Sequence, residues 1–114
     1  MSFDHDAFSI ETSQAGERLV VRPSGELDLA TAPELEELVI GRLADGALVV
    51  LDLRGLSFMD SSGVRVLVAA HARASDGNGG ELTIVRPARG SAVERILEVS
   101  GIDQALHLVD EPGA

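Results

Sequence analysis

The sequence predicts an α/β domain built on a mixed, mostly parallel β-sheet, with helices packed mainly on one face. Three observations lead there. Residues 47–53 are apolar with almost no polar alternation, the pattern of a strand covered on both faces or lying at a sheet centre. From residue 18 onward, strand-like runs alternate with helix-spaced apolar stripes, which implies parallel pairing through crossover helices. The first two strand-like runs are joined only by Ala15-Gly16-Glu17, so they pair antiparallel.

The elements follow in order. Residues 8–14 alternate weakly and predict an edge strand, and 18–24, with Leu19-Val20-Val21, the strand beside it. Thr31-Ala32-Pro33-Glu34 reads as a capping box with proline tolerated in the first turn, and Leu35, Leu38, Val39 and Leu43 continue as a helical stripe to Asp45-Gly46. After strand 47–53, residues 64–74 predict a second helix. Val64, Leu67, Ala70, His71 and Ala74 share its inner face, His71 as a packing residue, with Arg65, Ala69, Ala72, Arg73 and Asp76 on the other side. Gly77-Asn78-Gly79-Gly80 is a turn, and 81–86 a strand. Ser91-Ala92-Val93-Glu94 is a second capping box, whose helix carries Val93, Ile96, Leu97 and Ser100 and stops at Gly101. Residues 105–109 predict a last strand and 110–114 a frayed tail. With no internal repeat, low-complexity tract or linker, 1–114 is expected to be one domain with its core at about 8–109.

Composition narrows the chemistry. Aromatics are 3% of the 114 residues, with no Trp or Tyr, so the core must be aliphatic. There is no cysteine, which removes thiol nucleophiles, disulfides and Cys-based metal sites. Residues 1–10 hold Asp4, His5 and Asp6 and no apolar run, unlike a signal peptide, and no apolar stretch approaches the roughly 18 residues of a membrane span. A cytoplasmic protein is the expectation. The net charge is −10 and all nine basic residues are Arg, a usage that fits GC-rich bacterial coding. Such a chain is repelled by nucleic acid and anionic membranes, and suits either simple solubility or a partner with a basic surface.

The stretch Phe58-Met59-Asp60-Ser61-Ser62-Gly63 carries the chemistry. It places two hydroxyls where a strand hands over to a helix, and a helix N-terminus suits a phosphate, received from a ligand or added to a serine. From the residues alone, Ser61 and Ser62 either cap the helix or present hydroxyls. Asp60 either caps or positions the serine. Asp28 either orders the loop before the first helix or faces a partner. Met59 is either core filler or an exposed contact. Gly63 keeps the first turn narrow so that another backbone can approach. His5 and His107 are too isolated to suggest a metal site, and no cofactor is implied.

The elements Gly25-Glu26-Leu27-Asp28, Val50-Leu51-Asp52-Leu53, Leu56-Ser57-Phe58-Met59-Asp60-Ser61-Ser62-Gly63 and Val99-Ser100-Gly101-Ile102 resemble the STAS domain family. More narrowly, they resemble its stand-alone bacterial anti-sigma factor antagonists (anti-anti-sigma factors), over roughly residues 8–109. The resemblance implies the STAS fold and a partner-switching role in transcription regulation, without enzymatic activity. An anti-sigma factor that is also a GHKL-type ATPase and serine kinase binds the unphosphorylated antagonist and releases its sigma factor. It phosphorylates the first serine of Asp-Ser-Ser-Gly, which is Ser61 here, and a serine phosphatase resets the switch. The partner-binding surface so implied is Asp28, Met59, Asp60, Ser61, Ser62 and Gly63, with Arg65 at its rim.

Three alternatives compete. A serine hydrolase lacks its Gly-x-Ser-x-Gly elbow here, and the chain leaves little room for a substrate pocket. A STAS-type scaffold or transporter accessory subunit without a sigma-factor role commonly lacks the phosphorylatable pattern that this chain retains. A nucleotide-binding STAS domain has no Gly-rich phosphate loop to support it.

Overall fold

The computed structural model describes residues 8–77 and 80–113. The N-terminal segment with His5, Asn78-Gly79 of the expected turn, and Ala114 lie outside the described residues. Strands β1 (Ser9–Ala15) and β2 (Arg18–Leu27) form the antiparallel hairpin, turning at Gly16 with φ +64°. Helix α1 (Ala32–Ala44), strand β3 (Leu48–Asp52), strand β4 (Leu56–Met59), helix α2 (Ser61–Ala74), strand β5 (Glu81–Val85), helix α3 (Ala92–Ser100) and the short strand β6 (Leu108–Val109) follow. The sheet order is β1-β2-β3-β5-β6, parallel from β2 onward, with β3 at its centre.

All three helices bury into one aliphatic cluster. Val21, Leu27, Val49, Leu51 and Ile84 from the sheet meet Leu35, Val39 and Leu43 of α1, Val66, Leu67 and Ala70 of α2, and Val93 and Leu97 of α3. Each fully buried leucine here contributes roughly 1.5–3 kcal/mol, so aliphatic burial holds the fold without a large aromatic share. The alternate residues of the central strands, Val50 and Asp52, are buried toward the opposite face. Val20 and Arg22 lie there too, beside Pro112 from the C-terminal end. Asp52 is held there by Arg54, whose Nε and Nη2 donate to its two carboxylate oxygens at 3.0 and 2.9 Å, while Arg22 Nε lies 3.6 Å away. Burial alone raises the Asp52 carboxyl. Hydrogen bonds from the Arg54 side chain and N–H, with the charges of Arg54 and Arg22, outweigh it and hold the group below its ordinary value.

The structure departs from the sequence reading in several places. β4 is an additional strand. A 3₁₀ turn at Leu53–Gly55 ends β3, and the chain then resumes along β2, pairing Gly25 with Leu56, Glu26 with Phe58 and Leu27 with Met59 after a register shift. β2 accordingly runs three residues further than expected, through Gly25 at φ +95°. Helix α2 starts at Ser61 rather than Val64, because Asp60 caps it. Its buried stripe is Gly63, Val66, Leu67 and Ala70, and His71 is exposed rather than packed.

Thr31 does not cap α1. Its hydroxyl donates to the Glu26 carbonyl at 2.8 Å and accepts from the Asp28 N–H at 2.9 Å. Ser91 does cap α3, accepting from Glu94 N–H at 3.1 Å, while the Glu94 carboxylate reaches back to Gly90 N–H. A second 3₁₀ turn spans Ile102–Gln104, and residues 105–107 link it to β6 instead of extending the strand. The expected frayed tail is tied at its start by an ion pair between Arg86 Nε and Asp110 at 2.9 Å.

Candidate functional site

The parallel pairing of β2 and β4 brings their carboxyl ends together. Leu27 lies opposite Met59, and the Leu27 carbonyl accepts from Asp60 N–H at 3.2 Å. Asp28 and Asp60-Ser61 therefore emerge side by side at one end of the sheet, the end where parallel α/β sheets present their sites. β2 leads into a four-residue loop that is locked from within. The Asp28 carboxylate accepts from the N–H groups of Ala30 at 3.0 Å and Thr31 at 3.2 Å, and its carbonyl accepts from Ala32 N–H at 2.8 Å. Asp28 thus orders the loop, as one of its two readings held.

Asp60 is the N-cap of α2. Its Oδ1 accepts from Ser62 N–H at 2.8 Å, and its carbonyl accepts from the N–H groups of Gly63 at 3.0 Å and Val64 at 3.3 Å. With the cap supplied by the aspartate, neither Ser61 nor Ser62 caps. Both hydroxyls are without a hydrogen bond among the described residues. Ser61 is exposed and Ser62 half-buried. Of the two, Ser61 has the freer approach and an oxygen that no internal contact holds back.

The structure corrects two expectations here. Met59 is a core residue, 3% exposed, and cannot offer its thioether as a contact surface. Gly63 is buried against it: a Cβ at position 63 would clash with Met59 Cγ, and would lie 3.0 Å from Leu27 Cδ2 and 3.1 Å from Met59 Sδ. The glycine is therefore demanded by packing beneath α2, not by an approach from outside. Asp28, Asp60, Ser61, Ser62 and Arg65 remain together at the surface.

Two residues that the sequence did not single out join them. A groove of about 440 Å³ runs between α1 and α2, lined by Leu29, Ala32, Pro33, Glu36, Ser62, Arg65, Val68 and Ala69. Leu29 is 76% exposed and Val68 51% exposed, so the groove beside the serines offers apolar surface with one acid and one base. The sequence reading assigned Val68 to neither side of α2, and Leu29 carries no periodic signal at all. A larger hollow of about 720 Å³ lies between β1 and α1 and shares no residue with this end. Among the described residues, no three acidic or histidine side chains come together as a metal centre would need, and no helix is long and apolar enough to cross a membrane.

Comparison with known proteins agrees with this geometry. Residues 9–112 match the STAS domain family. An anti-sigma-B factor antagonist of Staphylococcus aureus is 32% identical over 101 residues, covering 88% of this chain and 91% of that protein. The anti-sigma-F factor antagonist RsfB of Mycobacterium tuberculosis is 30% identical over 104 residues, covering 90% of this chain and 82% of that protein. The crystal structure of an anti-sigma factor antagonist from Mycobacterium paratuberculosis superposes with a TM-score of 0.76 at 27% identity, covering 94% and 89% of the two chains.

Proposed function

The chain belongs to the STAS domain family, and from that we propose that it is an anti-sigma factor antagonist switched by phosphorylation of Ser61. Unmodified, it binds an anti-sigma factor serine kinase of the GHKL ATPase type and so releases a sigma factor. The kinase transfers the γ-phosphoryl group of ATP to Ser61 Oγ: the new O–P bond forms as the bond to ADP breaks, and the hydroxyl proton passes to a base on the kinase. A serine phosphatase removes the phosphate and restores binding. The observation that carries this reading is the free, exposed Ser61 hydroxyl beside the Leu29–Val68 groove. The relatives named as anti-sigma factor antagonists support it.

The chemistry needs no refolding. A phosphoserine carries about −1.5 to −2 charges at pH 7. At this site it enters a contact surface already holding Asp28 and Asp60, on a protein of net charge −10. Burying that charge against a partner costs both desolvation and repulsion. A loss of about 3 kcal/mol lowers affinity more than a hundredfold.

The test is calorimetric affinity for the cognate anti-sigma kinase, with nucleotide, of the unmodified, phosphorylated, Ser61→Ala and Ser61→Asp forms, with the phosphate mapped by mass spectrometry. The unmodified and Ala forms are expected to bind alike. The Asp form, with less charge and fewer acceptor oxygens, loses part, and the phosphorylated form loses at least about tenfold, or ~1.4 kcal/mol. Equal affinity of modified and unmodified protein, or phosphate found on Ser62 with Ser61→Ala still fully modified, refutes the proposal.

A further inference from the structure

We infer that Arg65 is the resident partner of a phosphate on Ser61, pairing with it inside the same helix. The inference rests on the proposed modification of Ser61 and concerns what the modified protein does with the new charge.

The first turn of α2 cannot take the phosphate fully by itself. The N–H groups of Ser62, Gly63 and Val64 are already bonded to Asp60. The Asp60 carboxylate, one residue before the serine, repels a second anion. The nearest cation along the helix is Arg65, four residues on. Positions four apart on a helix have Cβ atoms about 5–6 Å apart. Helical side chains lean toward the N-terminus, so a residue covers the turn before its own Cα. Arg65 therefore commands the turn that Ser61 opens. An anion four residues N-terminal to a cation is also the favoured orientation of such a pair.

Arg65 is free for this role. The ion pairs of the described residues use Arg22, Arg54, Arg73 and Arg86. Arg65 is exposed, lines the groove next to Ser62, and makes no hydrogen bond or ion pair among the described residues. Glu36 lines the same groove from α1, and Asp60 and Asp28 lie at the end of the sheet where α2 begins. None of them holds it within ion-pair distance. A phosphate, with its larger charge and three acceptor oxygens, matches the guanidinium fork better than any of these carboxylates. Modification then changes the surface twice: it adds an anion at position 61 and withdraws the groove's one cation from the reach of a partner.

The experiment uses full-length protein in which phosphoserine is installed at position 61 during translation, so that no kinase is involved. The second ionisation of the phosphate is followed by phosphorus NMR against pH in the wild type, Arg65→Gln, Arg65→Lys and, as a remote-charge control, Arg42→Gln in the last turn of α1. Loss of the Arg65 cation is expected to raise the midpoint by about 0.5 pH unit, a threefold change in proton affinity. The lysine variant should keep part of the effect, and the Arg42 variant should match the wild type. A midpoint indifferent to Arg65→Gln, or moved as much by Arg42→Gln, overturns the inference. Since the phosphate is built in, neither result depends on whether a kinase modifies Ser61, and failure of that modification leaves the Arg65 result standing.

Discussion

Gly63→Ala separates two roles for the residue that follows the serines. If the glycine exists to let a partner's backbone approach, the substitution spares stability and harms binding. If it exists because Met59 fills the space beneath α2, the substitution harms stability itself. The geometry gives the second answer. An added Cβ clashes with Met59 Cγ, an atom near the root of a side chain that is 3% exposed, and sits 3.0 Å from Leu27 Cδ2. Swinging the end of the thioether away is not enough; the whole side chain must change rotamer inside a close-packed core. Overpacking of this kind costs about 1–3 kcal/mol. Replacing glycine by alanine inside a helix returns about 1 kcal/mol. The net expectation is a destabilisation of up to about 2 kcal/mol, against a gain of about 1 if the site were open. With no Trp or Tyr in the chain, unfolding in urea is best followed by far-ultraviolet circular dichroism. Repeating Gly63→Ala in a Met59→Ala background completes the cycle, because the added methyl then enters a cavity and its cost should vanish. A variant more stable than the wild type, or one whose stability changes equally with and without Met59, would refute the packing argument.

Two further outcomes follow from the surface and from the buried acid. Val68→Asp lies at a half-exposed position in the groove, so its unfolding free energy in urea should stay within about 0.5 kcal/mol of the wild type while affinity for the anti-sigma kinase falls at least about tenfold; unchanged affinity would remove the groove from the interface. Asp52→Asn should cost about 1–3 kcal/mol at neutral pH by breaking the paired hydrogen bonds with Arg54. The folded Asp52 carboxyl titrates below its unfolded value near 3.8, so its stabilisation is present above that value and is lost as pH falls through the lower, folded one. The variant's acid limb should therefore be flatter than the wild type's, and parallel limbs in urea midpoints measured across that range would contradict the assignment.

What could be read in advance depended on how local each signal was. The β1–β2 hairpin, the buried β3 and the Ser91-to-Gly101 limits of α3 are each written in a few adjacent residues, and all were legible. β4 was not. Leu56-Ser57-Phe58-Met59 is four residues long and is a strand only because the far end of β2 lies beside it. The stripe of α2 was misread by about one position because Gly63 counts as no apolar residue in a pattern, although it is buried in the structure. That offset placed His71 inside and overlooked Val66. Thr31 and Glu34 have the spacing of a capping box, yet the Asp28 loop folds back and claims the threonine hydroxyl first. The Asp60-Ser61-Ser62 surface was legible as chemistry. Its burial was not, and burial is what sends Met59 and Gly63 inward and leaves Leu29 and Val68 outside.

The two rims of the sheet are unequal. β6 ends one side with two residues, whereas β1 ends the other with seven, nearly all exposed, and among the described residues nothing pairs with its outer edge. Such an edge is a template for strand addition by another copy. Only Glu11 among its seven residues bears a charge, so β1 itself carries little of the usual protection. The protection is global: at a net charge of −10, two copies meet each other's field before they meet each other's edge. The protein's acidity is then its colloidal guard. That guard weakens in concentrated salt or as the pH drops toward the isoelectric point, while the open strand stays where it is.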